Sequence, residues 1–320
     1  MARRTRLAVL VLFLSAGAAA AADNYGIGTS PQGTVTYSIG ATIAKIAAEK
    51  AGLTLRVQPY SGTTQAVPLV DSGELDFGLA NVLEVGSAVT GTSLFKGKPN
   101  PKLRAVAVLY PLQVGFFVRN GSPIRSVADL KGHGLPVGYS GQAIIKILSD
   151  GILASAGLAN DDIKGVPVPN IVRGTDDFIE GKADAFFFAL GAGKVAEANS
   201  AVGGIRILPA VNGPDALATL RKFVPPAYIT VVEPSKQNVG VAARTEVVSI
   251  DYLLFAGAHV SDDTVYKVVK ALHDNKPALV ASYASLADFA PERMAKALPF
   301  AYHPGAIKFY TEAGLWPPKN

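Results

Sequence analysis

Apolar and polar positions follow two rhythms along this chain, and the rhythm changes repeatedly. Tyr25-Gly26-Ile27-Gly28 is short and partly apolar, whereas Ile39, Ile43, Ile46 and Ala47 fall on one helix face. Between them Gly28 to Thr34 is rich in glycine and hydroxyl side chains, so the segment predicts strand, turn and helix. Leu53 to Val57 alternates as a strand, Pro59 to Gln65 is a turn, and Ala66, Val67, Leu69 and Val70 predict a short helix. Leu75 to Ala80 predicts a strand ending at Asn81. Leu103 to Leu109 and Val114 to Val118 predict strands separated by an interruption at Tyr110-Pro111-Leu112-Gln113. Leu135 to Gly138 leads through another glycine turn into a helix begun by Ile144, Ile145 and Leu148. Asp176 to Ile179 predicts a helix, Phe186 to Phe188 a strand, and Ala192 to Asn199 a helix. Gly203 to Pro209 and Val247 to Phe255 predict strands. Asp262 to Asn275, with Val265, Val268, Val269 and Leu272 on one face, predicts a helix, and helical pieces follow up to Glu312. The alternation of strands and helices predicts an α/β fold.

Two short spellings recur in the same order. Gly28-Thr29-Ser30-Pro31-Gln32 is echoed by Gly138-Tyr139-Ser140-Gly141-Gln142, and Ser72 to Phe77 by Glu180 to Ala185 at nearly the same spacing. This predicts two similar lobes facing each other across a cleft. The chain crosses over at Tyr110 to Gln113 and returns with Val247 to Phe255, which predicts lobe 1 over 23–112 plus 244–320 and lobe 2 over 113–243. Three strands of lobe 1 finish at polar groups: Thr29 and Ser30, Ser61 and Thr63, and Asn81. On a parallel sheet those ends share one edge. Turns of this kind leave backbone N–H groups free at helix starts, a setting suited to an anion.

Composition sets the compartment. Arg3, Arg4 and Arg6, the apolar run Leu7 to Leu14 and Ala20-Ala21-Ala22 predict a secretory signal over residues 1–22. The net charge of +5 includes those three arginines, and the remaining basic residues are scattered, which argues against nucleic acid. The absence of cysteine excludes disulfides, thiolate metal sites and a lipid-modified N-terminal cysteine. A secreted chain without that anchor is expected in the periplasm.

Catalytic patterns are missing. His133, His259, His273 and His303 show no metal-ligand spacing, and neither a G-x-S-x-G elbow nor a phosphate loop occurs. His303, before Pro304, reads as a structural turn residue. The pairs Asp161-Asp162, Asp176-Asp177 and Asp262-Asp263 are expected at helix starts, as caps. What remains is a set of uncharged donors that bind without reacting, so no metal, cofactor or catalytic residue is expected.

The segment Gly28-Thr29-Ser30-Pro31-Gln32-Gly33-Thr34-Val35-Thr36-Tyr37, with Gly73 to Asp76, Ser126 to Gly132, Val137-Gly138, Gly181 to Phe187 and His303-Pro304-Gly305-Ala306, resembles the TAXI-type solute-binding proteins of tripartite ATP-independent periplasmic (TRAP) transporters. The resemblance covers essentially the whole mature chain. It implies a two-lobed type II periplasmic binding fold with a central ligand cleft. It also implies a small organic acid or amino acid as ligand (glutamate, glutamine and 2-oxoglutarate in the family), and membrane permease subunits as partners of a monomeric binding protein. The expected ligand-binding set is Thr29, Ser30, Gln32, Thr34, Tyr37, Tyr60, Ser61, Thr63, Asn81, Tyr139, Ser140, Gly141, Gln142 and Phe188. The chain departs from the family pattern at Thr36, Tyr60-Ser61 and Gln142-Ala143. With Tyr60, Tyr139, Phe187 and Phe188 the pocket is expected to be more aromatic, for a carboxylate less polar than glutamate. The binding protein of an ATP-driven importer and a secreted enzyme on the same fold are the alternatives.

Overall fold

The computed structural model describes residues 24–318; the secretory signal expected over 1–22 lies outside them. In chain order the elements are β1 (Asn24–Thr29), α1 (Val35–Ala51), β2 (Thr54–Pro59), α2 (Thr63–Ser72), β3 (Phe77–Asn81), α3 (Val82–Thr90) and β4 (Leu103–Arg119). Then come β5 (Gly134–Gly138), α4 (Ala143–Ser155), β6 (Lys164–Val168), α5 (Ile171–Ile179), β7 (Ala185–Ala189), α6 (Gly193–Ala201), β8 (Ile205–Ile207), α7 (Pro214–Phe223) and β9 (Tyr228–Val232). The chain closes with β10 (Thr245–Gly257), α8 (Asp262–His273), α9 (Lys276–Ser282) and α10 (Pro304–Glu312).

β1 lies between β2 and β3, parallel to both, and β10 joins β3 to β4 as an antiparallel neighbour. β4 continues past β10 to pair with β7 and β8, while β5 and β6 form a separate parallel pair. The result is a two-lobed α/β fold in which the long strands β4 and β10 are shared. β4 is buried along most of its length, which is why its two halves read as apolar runs rather than as alternations. The predicted interruption at Tyr110 to Gln113 is absent: β4 is a single strand, with register shifts beside Tyr252 and Leu254 of β10. Pro111 is tolerated because β4 there has a sheet partner on one side only.

The second sequence echo has a structural cause. The Asp76 carboxylate accepts the Gly26 N–H at 2.7 Å while its own N–H bonds the Gly26 carbonyl at 3.1 Å. Asp184 does the same with Gly134, at 2.8 Å for each bond. In each lobe this reciprocal pair ties the start of one strand to its neighbour.

Several elements escaped the apolar pattern. α3 is read poorly because Val82, Val85 and Val89 favour strands by propensity; the Asn81 side chain, capping the Glu84 N–H at 2.9 Å, starts it. α7 has one buried residue, Leu220, and β9 is a half-exposed edge, so neither carries a strong periodic signal. Asp161-Asp162 lies in a short 3-10 turn and Asp262-Asp263 in the first turn of α8, as expected. Asp176-Asp177 lies late in α5 instead, whose cap is Asn170, accepting the Arg173 N–H at 3.0 Å.

His303 caps α10. Its Nδ1 accepts the Gly305 N–H at 3.2 Å and its Nε2 meets the Val260 carbonyl at 3.0 Å. Gly305 is held there by space, since an added Cβ would lie 2.9 Å from the Asp262 carbonyl carbon. Gly305→Ala is therefore expected to destabilise the fold by about 1–3 kcal/mol, the usual cost of overpacking. Urea unfolding curves against wild type check this.

Candidate functional site

The carboxyl ends of β1 and β3 and the starts of α1, α2, α4 and α5 converge on a cavity between the lobes. From lobe 1 it is lined by Ser30, Thr34, Thr36, Thr63, Asn81 and Tyr252. Lobe 2 contributes Gln142 and an apolar wall that includes Ile144, Ile145, Leu148, Phe187 and Phe188. Its volume is about 50 Å³, ample for more than one water. A wider hollow of about 510 Å³ lies among strand edges and residues 276–296, but none of the strand-end turns reaches it.

The lobes are shut over the smaller cavity. The Lys194 N–H donates to the Gly33 carbonyl at 3.0 Å and the Tyr283 hydroxyl to the Gly191 carbonyl at 2.8 Å. Gly62 sits so close to lobe 2 that an added Cβ would lie 2.6 Å from Gln142 Cγ.

No charged side chain lines the cavity among the described residues. Its polarity is set by how each uncharged group is already used. Asn81 spends its Oδ1 on the Glu84 N–H, and Gln142 spends its Oε1 on the Ile171 N–H at 3.1 Å. Each amide therefore keeps its NH₂ donors, one set from each lobe. Val35 and Thr36 open α1, where first-turn N–H groups have no intrahelical acceptor, and the helix dipole adds partial positive charge there. The Thr34 hydroxyl, by contrast, has no proton left to give: it donates to the Pro31 carbonyl at 2.6 Å and accepts the Tyr37 N–H at 3.2 Å, keeping one lone pair. Thr36 and Tyr252 share a hydroxyl–hydroxyl bond of 2.6 Å.

Behind Thr63 lies the group that the sequence reading passed over. Glu84 is buried, and its two carboxylate oxygens accept the hydroxyls of Thr63 at 2.6 Å and Thr64 at 2.5 Å. Burial raises its pKa to about 7, against the lowering effect of those two bonds. The signal available in the sequence was an acid in the first turn of a helix begun by Asn81, and α3 itself was missed.

Of the residues expected to bind ligand, the fold brings Ser30, Thr34, Thr63, Asn81, Gln142 and Phe188 to the cavity. The others go elsewhere. Thr29 is buried beneath it, against Gly40 of α1. Gln32, Ser61 and Ser140 are exposed and Tyr37 is half-buried, all outside the lining. The Tyr60 hydroxyl donates to Gln58 at 3.4 Å. Tyr139, in the left-handed region at φ 45°, turns its ring into the interior of lobe 2 beside a separate cavity of about 260 Å³. Gly141 spends its N–H on the Pro169 carbonyl at 2.9 Å, and Ser140 and Gln142 spend theirs on Val168 and Tyr139. The second turn thus offers no free backbone cradle. The two G-x-S-x-Q spellings are used oppositely: serine faces inward in the first and glutamine in the second.

Residues 27–314 match the model of the NMT1-like family. The chain belongs to the NMT1-like family. Solved structures similar to it include the periplasmic binding protein BugD, at 12% identity and a TM-score of 0.59, with 92% of this chain and 95% of that one covered. MatC from Rhodopseudomonas palustris with bound malate is similar at 15% identity and a TM-score of 0.55, covering 84% and 90%. The amino acid ABC transporter substrate-binding protein AbpA from Streptococcus pneumoniae, bound to L-arginine, is similar at 13% and 0.51, covering 82% and 94%. At these identities the likeness is one of fold, and it is the two-lobed fold of periplasmic solute-binding proteins.

Proposed function

We propose that this NMT1-like protein is a periplasmic solute-binding component of a secondary transporter of the TRAP type, close to its TAXI branch. It captures a small carboxylate between lobe 1 (23–112 plus 244–320) and lobe 2 (113–243), and hands it unaltered to a membrane permease. The observation that carries the reading is the pair Asn81 and Gln142. Each has its oxygen tied to a backbone N–H, so the two present amide donors from opposite lobes into one closed cavity. Closure is then coupled to binding, because an acceptor between the two amides is satisfied only when both lobes are in place. Donors to an ionised acceptor contribute roughly 1.5–3 kcal/mol each, and micromolar affinity needs about 8 kcal/mol. Two amides, the start of α1 and some apolar burial supply that without a cation. The small volume and the wall of Ile144, Ile145, Leu148, Phe187 and Phe188 favour a short ligand with an apolar tail over glutamate.

A thermal-shift screen of short carboxylates tests the reading, followed by calorimetry on Gln142→Glu and Asn81→Asp. Each substitution keeps the acceptor that holds the backbone N–H and replaces the NH₂ donors with a negative charge. Affinity for the best carboxylate is expected to fall about 100-fold or more in either variant, roughly 3 kcal/mol. Unchanged affinity in both would overturn the assignment. Because AbpA has the same fold and belongs to an ATP-driven importer, reconstituted uptake must respond to an ion gradient and not to ATP. Recovery of chemically altered ligand would favour the enzyme reading.

A further inference from the structure

The carboxylate reading concerns donors; the same cavity also contains an acceptor fixed from behind. Thr63 lines the cavity, and its hydroxyl proton is committed to Glu84 Oε2 at 2.6 Å. Glu84 Oε1 takes the Thr64 proton at 2.5 Å, while Thr64 stays outside the lining. An ionised carboxylate has no proton to return. Above about pH 7, where Glu84 is ionised, the Thr63 hydroxyl therefore has only lone pairs to offer the occupant. Asn81 is its neighbour through the same residue, since its Oδ1 holds the Glu84 N–H. One glutamate thus fixes a donor and an acceptor side by side on the lobe 1 wall.

Resting on the carboxylate reading above, we infer that Thr63, oriented by Glu84, determines specificity by requiring a hydroxyl or ammonium donor beside the ligand's carboxylate. A ligand that places a methylene there leaves a buried acceptor unpaired, and one that places a 2-oxo group there sets lone pair against lone pair. Both arrangements are unfavourable in a closed site. Glu84 is a positioning residue, and Thr63 is the residue that touches the ligand. Thr64, bonded to the same carboxylate but turned away from the cavity, provides an internal control.

Calorimetric titrations at pH 8 with matched probes test this. One series is propionate, pyruvate, L-lactate and L-alanine; the other is 3-methylbutanoate, its 2-oxo and 2-hydroxy derivatives, and L-valine. Wild type is expected to bind the hydroxy or amino member of a series at least tenfold tighter than the unsubstituted and 2-oxo members. The preferred member of the pair tells hydroxyl from ammonium. Thr63→Val should abolish the preference, Thr63→Ser should restore it, and Thr64→Val should keep it, although both valine variants remove a bond to Glu84. Binding of all carboxylates without distinction, or equal loss of preference in Thr63→Val and Thr64→Val, overturns the inference and leaves the carboxylate reading standing. Binding of no carboxylate at all overturns both.

Discussion

Glu84→Gln is expected to give a protein whose stability no longer falls as the pH rises from about 4.5 to about 7. In the native protein the carboxyl is buried and titrates near 7, against 4.5 as its ordinary value. Between those two values the folded state holds a proton that the unfolded state has released. Stability from this group is therefore greatest below pH 4.5, declines across the window, and is lost above about 7. The span corresponds to roughly 3 kcal/mol. Glutamine fits the site without charge: its oxygen accepts one threonine hydroxyl and its NH₂ donates to the other. The variant should be the more stable protein at pH 8. His303 acts in the opposite direction, because burial lowers its pKa. Its folded form is neutral, so the stability it confers is lost as pH falls below its unfolded value of about 6.5. Comparing the two proteins by urea unfolding from pH 4.5 to 8 cancels that contribution. Parallel stability curves would show that Glu84 does not titrate in this window.

Gly62→Val is expected to weaken ligand binding about tenfold to 100-fold, roughly 1.4–2.8 kcal/mol, with little change in the stability of the ligand-free protein. The backbone at Gly62 is extended, at φ −168° and ψ 167°, so a β-branched residue costs nothing locally. The obstacle lies across the cleft. An added Cβ would stand 2.6 Å from Gln142 Cγ and 3.0 Å from the Gly141 carbonyl oxygen. Valine holds the lobes apart at the point where Gln142 must arrive. Small-angle scattering should show ligand-induced compaction in wild type and little in the variant. Wild-type affinity in Gly62→Val would mean that this contact is not part of the liganded state.

The contrast between Ser30 and Ser140 shows how far spelling reaches. Both stand in the same five-residue pattern, yet Ser30 lines the cavity and Ser140 is exposed. Pattern specifies a turn between strand and helix. It does not specify the rotation of that turn about the strand axis, which depends on what packs beneath. In the first turn Gly40 leaves room for Thr29 under α1. In the second, the ring of Tyr139 fills the interior, and the Ser140 and Gly141 N–H groups bond the carbonyls of Val168 and Pro169 at the end of β6.

Short-range periodicity and turn chemistry were enough to read the elements that carry a strong apolar face or a marked turn. That reading includes the strand–turn–helix alternation, the faces of α1 and α8, and the turn at His303, whereas the Asp76 and Asp184 ties span 50 residues each and needed the fold. It also includes the set of strand ends from which Ser30, Thr63 and Asn81 reach a common edge. Tertiary structure alone decided which donors were already spent, that Glu84 would lie buried behind Thr63, and that Phe188 would share a wall with Leu112 and Ile144. The reason is that a hydrogen-bonding group's availability depends on its partners. Thr63 meets Glu84 twenty-one positions on, Thr36 meets Tyr252, and Gln142 meets Ile171. Pairings at such separations leave no periodic trace in the chain and exist only once both lobes have folded.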